Sequence, residues 1–258
     1  MWLIWLYALG SVVLVSLASL AGVIALSVSE TRLRQLLFLL VALATGALFG
    51  DVVIHLLPEI FSASGSTTTA ALGVLAGVLL FFSLEKFFHW RHTHEVDHCD
   101  QPEHQQQHGV QPLGYLNLIA DGFHNLLDGA IIGVSFLASP AIGLATTIAV
   151  ILHEIPQEIG DFGILLHAGF SRGRAILFNA LSASLAIIGV LLALLFGTLT
   201  AQFTPTLLAL AAGGFLYLAG SDLVPELHKT TDPKKSLLQF GAMLIGIALM
   251  FTLTFLEI

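Results

Sequence analysis

Runs of apolar residues, each about as long as a membrane-crossing helix, follow one another along the chain, with short polar or Gly/Pro breaks between them. A helix needs roughly 20 apolar residues to cross the hydrocarbon core of a bilayer. The pattern predicts eight such spans, near residues 2–28, 35–58, 69–88, 113–138, 141–168, 175–198, 206–227 and 236–257. We therefore expect an all-α integral membrane protein with eight transmembrane helices, forming a single domain over residues 1–258.

The composition narrows the class of protein further. The 258 residues are 56% hydrophobic and 10% charged, against roughly 25% charged residues in ordinary soluble domains, which excludes a water-soluble globule. The formal net charge is −8, with only nine Lys and Arg. Such a chain offers no basic surface to neutralise phosphates, so we expect no nucleic-acid partner. The lipid bilayer is the partner that the composition predicts.

The distribution of the basic residues predicts the orientation. All nine lie on one side of the predicted topology, in alternate connections or at the span end that leads into one: Arg32, Arg34, Lys86, Arg91, Arg172, Arg174, Lys229, Lys234 and Lys235. Because cytoplasmic loops carry an excess of Lys and Arg, these connections are predicted to be cytoplasmic. We expect a multi-pass protein of the cell membrane with both termini extracytoplasmic. The N-terminal Met-Trp-Leu-Ile lacks a basic n-region, so we expect span one to be retained and not cleaved as a signal peptide.

Spans two and seven share a weak internal similarity. Without a gap, Gly46 aligns with Gly213, Leu56 with Leu223, Pro58 with Pro225 and Glu59 with Glu226, and His55 falls on Asp222. Copies five spans apart have opposite orientations, as in many secondary transporters. We expect an inverted repeat of spans one to three and six to eight around spans four and five. Chance similarity between two apolar helices that end in a Pro-Glu turn is the alternative.

Many ionisable residues lie inside the predicted spans. They are Asp51, His55 and Glu59 in span two, Asp121, His124 and Asp128 in span four, His153, Glu154, Glu158 and Asp161 in span five, and Asp222 and Glu226 in span seven. Charged groups cost roughly 2.5–3.5 kcal/mol each at the centre of a helix that crosses a bilayer. No Lys or Arg accompanies these residues. A bound metal cation, water or protonation would offset their charge.

The spacing within spans four and five indicates a metal site. Asp121, His124, Asn125 and Asp128 fall at i, i+3, i+4 and i+7 and project from one helical face. In span five, His153 and Gln157 form one stripe, and Glu154, Glu158 and Asp161 form the next. Two facing helices would offer imidazole, carboxylate and amide donors to one small site. Taken singly, His124 or Asp128 could instead be a hydrogen-bond partner between helices.

Further polar residues, inside and outside these two spans, suggest an ion path and a peripheral metal site. We assign Asp51, His55, Asp121, Asp161 and Asp222 to a candidate ion path, with hydrogen bonding between helices as the alternative role. The polar stretch at about 89–112 is predicted to be a His-rich cytoplasmic loop, in which His92, His94, His98, His104 and His108 are candidates for weak metal capture. A solvated linker is the alternative interpretation of that loop.

The two motifs also carry a family resemblance. HNLLDG at 124–129 and HEIPQEIGDFGILLHAG at 153–169 closely resemble the signature helices of the ZIP (Zrt/Irt-like) metal transporters. The GDF at 161–163 resembles the branch whose signature is HExPHExGDF. The resemblance implies uptake of Zn²⁺ into the cytoplasm through a two-metal centre between spans four and five, with Fe²⁺, Mn²⁺ or Cd²⁺ as alternative cargo. A homodimer is a further hypothesis.

Carried over residue by residue, the resemblance assigns His124, Asp128, His153 and Gln157 to the first metal site and Asn125 and Glu154 to the second. Glu158 matches the final Glu of the signature and is a further candidate. The chain departs from its branch at Gln157, where His is usual, and an amide oxygen is a weaker zinc donor than imidazole.

Other classes of protein are less consistent with this pattern. HEIPQ is similar to the HExxH of a zinc protease, but Gln157 replaces the second His, so the catalytic zinc would lack one ligand. We therefore predict that the chain is not an enzyme. A cation exporter would also suit a His-rich cytoplasmic loop. The sequence leaves channel and alternating-access carrier equally open.

Overall fold

The computed structural model describes residues 2–18, 29–96, 112–199 and 204–256, and within these ranges the chain is helical, with no β-strand. Eight helical segments follow one another in the described parts of the chain. They are α1, Trp2–Ala18; α2, Glu30–Asp51 with its continuations Val52–Leu56 and Leu57–Ala63; α3, Thr67–Val96; α4, Pro112–Ala138; α5, Pro140–His167; α6, Arg172–Ala183 and Leu185–Leu199; α7, Thr204–Leu218 with Ala219–Leu223 and Val224–Leu227; and α8, Pro233–Leu253 followed by the 3₁₀ turn Thr254–Leu256. The predicted all-α fold is confirmed.

Length and composition identify five of these segments as helices that could cross a membrane: Gln35–Ala63, Thr67–Phe87, Arg172–Gly197, Thr204–Leu227 and Pro233–Leu253. The structure describes only 17 residues of α1. Although α4 and α5 are 27 and 28 residues long, their acidic and histidine side chains lower their hydropathy. Large apolar side chains such as Leu75 and Phe240 are exposed on α3 and α8. Such surfaces suit lipid, and the chain is a membrane protein.

The helices α4 and α5 pack against each other at the centre of the bundle. On one side α2 contacts α5, and on the other side α7 contacts α4. Close packing of backbones fixes α6 on α4, because a Cβ at Gly129 would overlap the carbonyl of Ala186. A Cβ at Gly189 of α6 would likewise overlap the carbonyl of Leu126 in α4. The two motif helices are thus held between the remaining elements.

The structure supports the internal repeat between α2 and α7. Each helix contains a π-helical turn, at Val52–Leu56 and at Ala219–Leu223, at corresponding positions of the alignment. A proline follows each turn at the same distance, Pro58 and Pro225. Since proline lacks an N–H and clashes with the carbonyl four residues earlier, a widened turn accommodates it.

The packing of the two repeat helices is also equivalent. A Cβ at Gly46 would overlap the backbone of Met243 in α8, and a Cβ at Gly213 would overlap the backbone of Val74 in α3. The start of α2, at Leu37, lines the same cavity as the end of α7, at Glu226. The two helices therefore run in opposite directions, as an inverted repeat requires.

One boundary differs from the predicted span. The α-helix α3 continues to Val96, beyond residue 88, because no Gly or Pro interrupts it there. His89, His92 and His94 therefore lie on a helix and not in the predicted loop. His98, His104 and His108 are outside the described residues, and their assignment to metal capture stays a prediction.

Candidate metal centre

The motif of α4 presents its polar side chains toward α5. The amide nitrogen Nδ2 of Asn125 donates to Asp121, at 2.9 Å to the carboxylate oxygen Oδ1 and 3.2 Å to the backbone carbonyl. This orientation leaves Asn125 Oδ1 buried and without a hydrogen bond to the described residues. An amide oxygen held in this way is available to a cation.

Four side chains from α4 and α5 converge at the centre of the molecule. One donor atom from each of His124, Asp128, His153 and Glu154 lies within 4.8 Å of the others. His124 Nε2 is 3.4 Å from His153 Nε2, 3.6 Å from Asp128 Oδ2 and 3.5 Å from Glu154 Oε1. His153 Nε2 is 2.9 Å from Asp128 Oδ2 and 3.7 Å from Glu154 Oε1.

These separations match a tetrahedral zinc site. Zinc binds imidazole nitrogen and carboxylate oxygen at about 2.0–2.2 Å, so the edges of its coordination tetrahedron are roughly 3.3–3.6 Å. The five separations between donor atoms given above span 2.9–3.7 Å. The side chains therefore need only small movements to coordinate an ion.

A second contact fixes the ring of His153. Its other nitrogen, Nδ1, is 3.2 Å from the carbonyl oxygen of Ala149 one turn earlier in α5. When Nδ1 carries the proton and donates to that carbonyl, the lone pair of Nε2 points into the cluster. Backbone carbonyls orient metal-binding histidines in this way in many proteins.

Three of the four residues in the cluster are buried, and the fourth is partly exposed. Asp128, His153 and Glu154 are each 1% exposed. His124 is more accessible, and it lies on the wall of a cavity of about 720 Å³. No Lys or Arg pairs with these carboxylates among the ion pairs of the described residues. A divalent cation would balance their charge, and it could enter or leave beside His124.

The other predicted ligands occupy different positions. Gln157 is half-buried and lines the same cavity, one helical turn from His153. Glu158 is fully buried, but its carboxylate accepts a hydrogen bond from Asn179 of α6. Glu158 is therefore not one of the four residues in the cluster. The spacing along α5 predicts which residues share one face of that helix. The packing of α6 against α5 determines where the side chain of Glu158 points.

The candidate path residues fall into two groups. Asp121, Asp161 and Asp222 line the cavity, which extends from His124 to Glu226 and Lys229. Asp51 and His55 lie apart from the cavity and are buried. Asp51 Oδ1 and His55 Nδ1 are 3.4 Å apart. The second oxygen of Asp51 accepts from Thr146 Oγ1 at 2.9 Å and so connects α2 to α5.

Sequence reasoning missed the neutral polar side chains around the site. Thr146, Asn117 and Asn179 each donate to a carboxylate that the sequence had singled out: Asp51, Asp161 and Glu158, respectively. A single Asn or Thr in an apolar helix has no distinctive spacing. A buried carboxylate without a hydrogen-bond donor is energetically costly. The carboxylates in the spans therefore indicated that neutral donors lie near them.

These features together define a helical membrane protein with a buried cluster of imidazole and carboxylate groups beside a cavity that has acidic side chains on its wall. The chain belongs to the ZIP zinc transporter family, whose family model matches residues 2–111 and 89–254. Its relatives include the fly protein named Zinc transporter ZIP13 homolog (Drosophila melanogaster), which is 30% identical, with 98% of this chain and 89% of the relative aligned.

Two mammalian relatives are similar over most of the chain. Zinc transporter ZIP13 of Pongo abelii is 35% identical, over 85% of this chain and 66% of the relative. Zinc transporter SLC39A7 of Mus musculus is 30% identical, over 98% of this chain and 70% of the relative. The predicted resemblance is confirmed. Because the family consists of transport proteins, the chain is a transporter and not a protease.

Proposed function

We propose that this protein carries Zn²⁺ into the cytoplasm through a two-metal centre between α4 and α5. The observation that carries the proposal is the convergence of His124, Asp128, His153 and Glu154 at separations typical of zinc ligands. The family and its named relatives support zinc as cargo. Iron, manganese and cadmium are the alternative cargo ions.

In this proposal, His124, Asp128 and His153 hold the first ion, with Gln157 on the cavity side. Asn125, through its unpaired amide oxygen, and Glu154 hold the second ion. Glu154 also lies close to both imidazoles, so it can be shared between the two ions. Glu158 would support the centre from its position beside Asn179.

The cavity and the basic residues support the proposed direction of transport. The cavity ends near Lys229, in a connection rich in basic residues, and such connections face the cytoplasm under the positive-inside rule. Both termini would then be extracytoplasmic, in the cell membrane. An ion released from the centre would pass Asp121, Asp161 and Asp222 to the cytoplasm. Asp51 and His55, on the opposite side of the centre, would contact the entering ion.

A specific observation favours Mn²⁺ or Fe²⁺ as a second candidate cargo. Gln157 adds an amide oxygen where the related signature has imidazole, and oxygen donors suit harder ions. Uptake of radiolabelled Zn²⁺ into proteoliposomes, in competition with Fe²⁺, Mn²⁺ and Cd²⁺, tests the cargo directly. We expect Zn²⁺ to be taken up and the unlabelled ions to compete in an order that ranks them.

Orienting the protein tests the direction. Proteoliposomes sorted by the accessibility of an N-terminal tag should take up Zn²⁺ when the tag faces outward. Release of preloaded Zn²⁺ alone, with no uptake, would indicate export instead.

A further inference from the structure

A second, smaller cavity lies between the start of α2, the end of α7 and the start of α8, and its volume is about 370 Å³. One part of its wall is basic or polar and includes Lys229, Lys235 and Gln239. Another part is apolar and includes Phe38 and Leu227. The ligands of the metal centre take no part in this wall, so the cavity needs an explanation of its own.

The packing of α2 on α8 places this cavity near one surface of the membrane. A Cβ at Gly46 would meet Met243, and a Cβ at Gly50 would meet Met250, so the two helices run in the same direction. They therefore begin on the same side, where the basic connections lie. Wall residues of α8 fall within its first two turns, roughly 10 Å of helix.

A buried amide on the wall lacks a partner in the protein. Gln239 is only 8% exposed, and its side chain lines the cavity. Its amide makes no hydrogen bond to any residue that the structure describes. Because a buried polar group without a hydrogen bond is costly, an acceptor oxygen placed in the cavity would stabilise this amide.

The charges on the wall favour an anion. Two lysines, Lys229 and Lys235, oppose one carboxylate, that of Glu226. Lys229 pairs with Glu226, but the two side chains are 72% and 49% exposed, and such surface pairs contribute little to stability. Lys235 forms no ion pair within the described ranges. The nearby carboxylate of Asp232 accepts from the backbone N–H groups of Lys234 and Lys235 and thereby caps α8.

The apolar surroundings indicate that the anion is part of a lipid. Leu36 and Leu238, each next to a wall residue in the sequence, are 50% and 60% exposed, as suits side chains that contact the bilayer. Basic pockets between membrane helices are typical binding sites for lipid headgroups. A phospholipid could leave its acyl chains on this surface while its phosphate enters the cavity. A free anion would gain nothing from Phe38 or Leu227.

We propose that this cavity binds the headgroup of an anionic phospholipid. The phosphate lies between Lys229 and Lys235, and the amide of Gln239 donates a hydrogen bond to one of the lipid oxygens. The hydroxyl of Thr230, which also lines the cavity, is a further donor. Phe38 and the neighbouring apolar side chains contact the glycerol and the first carbons of the acyl chains.

The bound lipid lies beside the cavity that leads to the metal centre. The two cavities share Leu37, Val41, Glu226 and Lys229. A phosphate that attracts Lys229 competes with Glu226 for this lysine and increases the negative charge beside the larger cavity. An effect on ion release rests on the proposed function, whereas lipid binding itself does not.

Native mass spectrometry of the full chain in detergent tests the site, with phosphatidylglycerol and phosphatidylcholine of identical acyl chains as the probes. We expect wild type to retain one phosphatidylglycerol in preference to phosphatidylcholine. Lys235→Gln and Gln239→Leu should each bind phosphatidylglycerol about fivefold more weakly. Lys234→Gln is the matched control, because it removes one positive charge from the same connection but not from the cavity wall, and it should bind like wild type.

Three results would overturn the proposal. Equal binding of the two lipids by wild type would show that the headgroup charge is not recognised. Equal affinity in Lys234→Gln and Lys235→Gln would show that the cavity wall is not the site, and Lys235 is exposed, so its replacement leaves folding intact. Inorganic phosphate that binds wild type and displaces phosphatidylglycerol at equal concentration would identify a site for free anions. Zn²⁺ uptake is not part of this measurement, so its outcome is independent of the proposed function.

Discussion

His153 Nε2 lies 2.9 Å from Asp128 Oδ2, and this contact joins α5 to α4 at the centre of the bundle. The two residues come from the separate motifs HNLLDG and HEIPQE. Neither helix alone supplies a complete set of zinc ligands. The site therefore depends on how α4 and α5 pack, and several substitutions can test that dependence.

The first prediction concerns Gln157, where the chain departs from the related signature. Gln157→His would place a nitrogen donor one turn from His153, and the site would become more zinc-like. We predict a lower half-saturation concentration for Zn²⁺, an equal or lower maximal rate, and a higher preference for Zn²⁺ over Mn²⁺. Competition uptake assays on both proteins at one pH measure this. An unchanged Zn²⁺ to Mn²⁺ ratio would show that residue 157 does not touch the ion.

The second prediction concerns the link between α2 and α5. Thr146→Val removes the hydroxyl that donates to Asp51 and leaves the shape of the side chain nearly unchanged. Hydrogen bonds between membrane helices contribute about 0.6–2 kcal/mol. We predict a lower midpoint of thermal unfolding in detergent. Thr147→Val is the control, because that hydroxyl bonds the carbonyl of Gly143 in its own helix. Equal effects of the two variants would contradict the account.

The third prediction tests the internal repeat. Gly46→Ala and Gly213→Ala each place a methyl group against the backbone of a neighbouring helix. Overpacking of this kind costs about 1–3 kcal/mol. Both variants should lower the unfolding midpoint, and by similar amounts. Gly241→Ala, where no atom lies within 4 Å of the added Cβ, should not. If only one repeat glycine is sensitive, the two packing contacts are not equivalent.

The fourth prediction concerns the His-rich segment. Deleting residues 95–108 removes His98, His104 and His108 but leaves the centre and the cavity intact. We predict that Zn²⁺ uptake remains measurable and that its apparent affinity or regulation changes. Dose-response uptake by the deleted and full-length proteins measures the difference. A complete loss of uptake in correctly inserted protein would place the segment on the ion path.

In the described part of the chain, the apolar pattern predicted the order of the helices correctly, although not the end of α3, because each span must satisfy its own backbone in lipid. Helical spacing also predicted that His124 and Asp128 share a face, and the structure brings them together with His153 and Glu154. Spacing along one helix is a local property. It is encoded in the sequence regardless of how the rest of the chain folds.

Contacts between helices were less predictable. Glu158 belongs to the same stripe as Glu154, yet it bonds Asn179 of α6. The pairing of Asp51 with Thr146 spans 95 positions and has no local pattern. The π-helical turns of α2 and α7 were also missed, although Pro58 and Pro225 mark both. Tertiary packing determines the contacts of Glu158 and Asp51, and a single sequence contains no direct record of it.

The most direct test of the central claim is radiolabelled Zn²⁺ uptake into proteoliposomes by wild type, His124→Ala and His153→Ala. Because each variant removes one imidazole of the cluster, we predict that uptake falls by at least about tenfold while insertion persists. His167→Ala is the matched control, since this exposed histidine ends α5 far from the cluster, and it should transport like wild type. Wild-type uptake by the purified His153→Ala protein would contradict the assignment of the metal centre.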